Sequence, residues 1–136
     1  MAGRRGDEQV LSGRKELLPI VAGVCALAHL FFAYQETLGW GPKFVGKAAG
    51  AWMRGPEADA YVAWARNLAF NMGIYNLMFA VGLAWTAAAD PGLAHSLGKF
   101  FALWLLAAAG AAAYTRVWLA FIAQGVLGVA LGLAAW

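Results

Sequence analysis

Four apolar runs, Leu17 to Trp40, Leu68 to Ala89, Leu97 to Tyr114 and Val117 to Trp136, alternate with short polar stretches along the chain. Each is close to the roughly twenty residues that a helix needs to cross about 30 Å of hydrocarbon. A bilayer interior satisfies backbone groups only in helices or closed barrels, and these unbroken runs lack the period-two alternation of a barrel strand. The pattern predicts an all-α fold, a four-helix transmembrane bundle with up-down topology. Thr115 and Arg116 leave almost no connection between the last two runs, which are therefore expected to be antiparallel neighbours. Four crossings put both termini on the same side, and Asp90-Pro91-Gly92 reads as a stop and turn.

The charged residues mark the boundaries. Residues 1–16 form a hydrophilic N-terminal tail, and 17–136 are expected to be a single four-helix domain. Pro56 is a plausible first-turn residue and Tyr61, Trp64 and Arg66 suit the interface, so the second helix is expected to start early, near Asp59. The connecting segment 41–58 has Phe44, Ala48 and Trp52 at helical spacing beside Lys43, Lys47 and Arg54, which fits an interfacial helix; Gly46, Gly50 and Gly55 fit an irregular loop equally. Basic residues divide evenly between the two sides, and the Arg4, Arg5, Arg14 and Lys15 cluster tips the N-terminus toward the cytoplasm.

Composition sharpens the class. The 136 residues are 62% hydrophobic and only 12% charged, with a mean hydropathy of +0.63. Soluble domains run nearer 45 to 50% apolar and about 25% charged, so a soluble globular fold, disorder and a nucleic-acid-binding face are all excluded. The lipid bilayer is the expected partner. The first apolar run is too long for a signal peptide core and reads as a retained span. Cys25, the single cysteine, forbids an internal disulfide and reads as a packing residue.

Ionisable groups within a span cost about 2.5 to 3.5 kcal/mol each at its centre and are functional candidates by default. His29 and Glu36 are two turns apart on the first helix and share a face with Cys25 and Phe32. The second helix carries Asn67, Asn71 and Tyr75 at four-residue spacing, with Gly73 and Asn76 on a neighbouring face; the fourth carries Gln124. From the end nearest the first connection, Glu36 lies roughly 5 Å in and His29 roughly 15 Å. Up-down topology puts Asn71, Tyr75, Asn76 and Gln124 at comparable depths, which leaves the other half of the bilayer almost wholly apolar. Glu36 is expected to meet Asn71 or Tyr75, since an unpaired carboxylate there stays costly or takes up a proton. His95 falls in a connection, and Lys99 and Arg116 are end anchors. Two candidate ligands are too few for a metal site, and no nucleotide, haem or flavin motif is present, so no cofactor is expected.

The segment from Ala28-His29 to Gln35-Glu36 with Trp40 following, Asn71-Met72-Gly73-Ile74-Tyr75-Asn76 with Val81-Gly82-Leu83, and Gln124-Gly125 together resemble the DUF1304 family of small four-helix membrane proteins. The resemblance runs from about Val21 to Leu133. It departs from the family pattern at Ala28, at Leu127-Gly128 and along Ala109 to Ala113. It implies a four-helix membrane fold and a shared polar motif set, without naming a reaction.

The leading expectation is a pocket for a lipophilic small molecule, with His29 and Glu36 as acid and base and Asn71, Tyr75, Asn76, Gln124 and Trp40 as binding partners; one polar half beside one apolar half suits a ligand with a polar head and a hydrocarbon body. Whether such a site is catalytic stays open. A proton or ion pathway is the rival from another class, and a structural subunit is the third. The Gly128-x3-Gly132 face of the last helix is the expected surface for a homo-oligomer.

Overall fold

The computed structural model describes residues 3–41 and 56–136. They form four helices, α1 Gly3–Thr37, α2 Pro56–Ala88, α3 Pro91–Tyr114 and α4 Trp118–Ala135, with no strand among the described residues. All four contain a stretch long and apolar enough to cross a membrane, over Glu16–Thr37, Asp59–Ala88, Pro91–Tyr114 and Trp118–Ala135. The hydrophilic segment expected as a tail is helical from Gly3, continuous with the first span. The expectation of an interfacial helix or loop over 41–58 falls largely outside the described residues.

Two compact units divide the chain, one of Leu27–Ala80 and one of Met1–Ala26 with Val81–Trp136. The second unit is built on an α3–α4 hairpin. Its antiparallel register follows from the contacts: small residues face each other where Ala109 stands 3.8 Å from a side chain built at Gly125, Ala102 at 3.8 Å from Gly132, and Ala135 at 3.0 Å from Gly98. Small residues let backbones approach closely, and in lipid that packing replaces the hydrophobic effect as the source of association. Leu18, Leu83, Leu105 and Leu131 fill the remaining space and are almost fully buried. Cys25 is buried here as well, its Sγ 3.9 Å from the carbonyl of Leu127. Buried Thr86 donates back to the Gly82 carbonyl at 2.9 Å, a bond that lets a hydroxyl sit in an apolar helix at little cost.

The hairpin turn closes by backbone chemistry. Arg116 takes φ 61°, and the chain reverses as Val117 N–H donates to Ala112 and Arg116 N–H to Ala113, at 2.8 and 3.1 Å. This is the Schellman arrangement, in which a left-handed residue just past the helix satisfies its last carbonyls. At the other end Asp90 caps α3, its Oδ1 accepting from Leu93 N–H at 3.2 Å, with Pro91 at the first helical position. The Asp-Pro-Gly signal read as a stop is thus also the start of α3, and His95 stands on that helix, not in a connection. Its Nδ1 lies 3.0 Å from the carbonyl of Ala135 at the end of α4, and Lys99 sits 5.4 Å over the Trp136 ring.

The two glycines of the surface expected to receive a second copy also have neighbours within the chain. Gly128 is buried against α3, where an added Cβ would stand 3.0 Å from Leu105 and 3.1 Å from Leu106, and Gly132 faces Ala102. The small-residue spacing of α4 serves the hairpin within one chain.

Candidate functional site

The Leu27–Ala80 unit holds the polar residues of interest. On α2 the buried positions Ala65, Ala69, Gly73 and Ala80 are spaced by four, four and seven residues and form one stripe of small side chains. It comes close to α1 at Gly73, where an added Cβ would collide with Thr37 Cγ2 and stand 3.1 Å from both the Ala33 carbonyl oxygen and the Thr37 nitrogen. Thr37 is held in place by its own bond to the Ala33 carbonyl, at 2.7 Å. Ala33 and His29 continue the buried face of α1.

Asn76 is three residues beyond Gly73 and therefore turned toward the same neighbour. Its Nδ2 donates to Glu36 Oε2 at 2.6 Å. Glu36 is half-buried. The expected partner of Glu36 was Asn71 or Tyr75; the partner is Asn76. The reason is angular, because Asn71 and Tyr75 each lie two residues from Gly73, about 200° around a helix that advances 100° per residue. Both side chains are exposed, Tyr75 by 73%.

His29 is buried, 2% exposed, with its ring centroid 4.8 Å from Phe79 and 5.7 Å from Phe32. Seven residues separate it from Glu36, about 10 Å along the helix axis, so the two groups share a face without meeting. Beyond the end of α1, the indole Nε1 of Trp40 donates to the Val62 carbonyl at 3.1 Å and pins the chain to α2. Of the other expected site residues, Gln124 is half-buried on α4 in the second unit. Among the described residues, no group of three or more His, Cys, Asp or Glu comes together as a metal ion would need.

Sequence reasoning passed over Thr86 and the His95–Ala135 contact. A buried hydroxyl bonded within its own helix leaves no mark in hydropathy, and His95 became legible only once the cap at Asp90 set the start of α3.

Four membrane-length apolar helices, with a carboxylate–amide pair between the first two, define a multi-pass helical membrane protein. Residues 23–136 match the family described as Protein of unknown function (DUF1304), and the chain belongs to that family. No curated protein and no solved structure matches it.

Proposed function

We propose that the α1–α2 pair binds, and by acid–base chemistry converts, a lipophilic small molecule whose polar head meets Glu36. The observation that carries this reading is the 2.6 Å bond from Asn76 to Glu36 Oε2. It fixes one oxygen of a half-buried carboxylate and leaves the other without a hydrogen bond among the described residues. Holding a base in one orientation ahead of its reaction is what positions it to take a proton from a bound hydroxyl, amine or activated C–H. A carboxylate fixed in this way also offers a charge-assisted acceptor to the head group.

His29 takes the second role. About 10 Å from Glu36 along the helix, it acts on a different atom of an extended ligand and does not pass a proton to Glu36 directly. Phe32 and Phe79 around it supply an apolar, aromatic wall for a hydrocarbon body. Trp40 steadies the end of α1 that carries Glu36.

The test is native mass spectrometry of the full chain in lipid nanodiscs, comparing wild type with Glu36→Gln and His29→Ala. A co-purifying lipophilic species lost in both variants, with helicity kept, is the expected result. Proton or ion flux in proteoliposomes that vanishes with Glu36→Gln would replace this reading with a pathway.

A further inference from the structure

Asn67, Asn71 and Tyr75 follow one another at four-residue spacing along α2, and all three are exposed. None of them makes a side-chain hydrogen bond among the described residues. Trp64 and Met78 flank Asn71 by seven residues on either side and are 77% and 64% exposed. This row lies across α2 from the Gly73 stripe that packs on α1, so the partner of one face is not available to the other. Counted from Leu68, where the apolar run begins, Asn71 is about 5 Å into the membrane segment and Tyr75 about 10 Å. Acyl chains offer an amide neither donor nor acceptor, and polar side chains at such depth are costly when they face lipid.

We propose that a second copy of this chain docks on this row, pairing α2 with α2 in a homodimer. An amide is both donor and acceptor, so two identical Asn71 side chains satisfy each other across a two-fold axis, as an isologous contact requires. In this dimer the two copies share one orientation in the bilayer, with the axis along the membrane normal and the two α2 helices parallel. Trp64, Asn71 and Met78 then occupy equivalent positions of a seven-residue repeat, with Asn67 and Tyr75 beside the seam. A single polar residue at such a position fixes register and partner number in paired helices. This contact is independent of the ligand reading for Glu36.

The experiment measures energy transfer between donor- and acceptor-labelled full-length chains in phosphatidylcholine vesicles over a range of protein-to-lipid ratios. Wild type is expected to dimerise, Asn71→Leu to weaken the dimer roughly 3- to 30-fold, the range that one interhelical hydrogen bond spans, and Asn71→Gln to retain most of it. In parallel, Met78→Cys on a Cys25→Ser background, with Asn71 intact, should cross-link through a short bismaleimide, while Leu133→Cys on the same background should not. If the leucine variant fails to fold, the cross-linking pair decides. A wild-type chain that stays monomeric throughout, a dimer indifferent to Asn71→Leu, or equal cross-linking at both cysteines would overturn the proposal.

Discussion

Replacing Gly73 by alanine asks how closely α1 and α2 must approach for Glu36 and Asn76 to meet. The new methyl carbon would collide with Thr37 Cγ2 and stand 3.1 Å from the Ala33 carbonyl oxygen and from the Thr37 backbone nitrogen. Two of these three atoms are backbone, and the third belongs to a side chain tied to Ala33, so none can swing aside and the helices must part. Overpacking of this kind costs about 1–3 kcal/mol. Parting the helices also stretches the 2.6 Å Asn76–Glu36 bond, worth about 0.6 to 2 kcal/mol between membrane helices. The propensity gain of alanine over glycine returns up to about 1 kcal/mol, leaving a net loss of roughly 0.6–4 kcal/mol. Gly23 and Gly110 supply the contrast, since nothing lies within 4 Å of a Cβ built at either; alanine there should stabilise by about 0.5–1 kcal/mol. Reversible unfolding in bicelles, followed by steric trapping, measures all three. In a Gly73→Ala background a further Asn76→Ala change should cost almost nothing, because the bond it removes is already gone. If Gly73→Ala proves as stable as Gly23→Ala, or Asn76→Ala costs the same in both backgrounds, the close approach does not hold the pair together.

A double-mutant cycle of Glu36→Gln with Asn76→Ala should give a coupling of about 0.6 to 2 kcal/mol in the same unfolding assay. Arg116→Gly should stabilise the α3–α4 hairpin by about 1 kcal/mol, because glycine adopts the left-handed φ of 61° without the Cβ clash that arginine bears there. Asp90→Ala, which deletes the cap on Leu93, should cost about 1 kcal/mol and fray the first turn of α3 in amide exchange. Reporters fused at residues 1 and 136 should map to one side of the membrane, and opposite sides would contradict four crossings.

The number and type of the elements were plain in the sequence because the signal is large: four runs near twenty apolar residues admit few other readings. Boundaries were less plain. Asp90-Pro91-Gly92 marks both the end of one helix and the cap of the next, and reading only the first half of that signal started α3 six residues late, at Leu97 instead of Pro91. The partner of Glu36 was misassigned for a different reason. In a membrane helix the packed face and the lipid face are both apolar, so hydropathy does not tell Asn76 from Asn71. Residue size does, and the Ala65, Ala69, Gly73, Ala80 spacing identifies the packed face of α2. Gly128 and Gly132 show the limit of that cue, since size marks a close approach without saying whether the neighbour belongs to the same chain.

The bond from the Trp40 indole to the Val62 carbonyl has a practical corollary. It ties the chain just past α1 to the second turn of α2, so the spacing of the helices there is set by their own contacts rather than by the length of what joins them. Closure entropy grows only slowly with length, about 0.6 kcal/mol for each doubling. Changing the length of what joins α1 to α2 should therefore leave the Glu36–Asn76 bond in place.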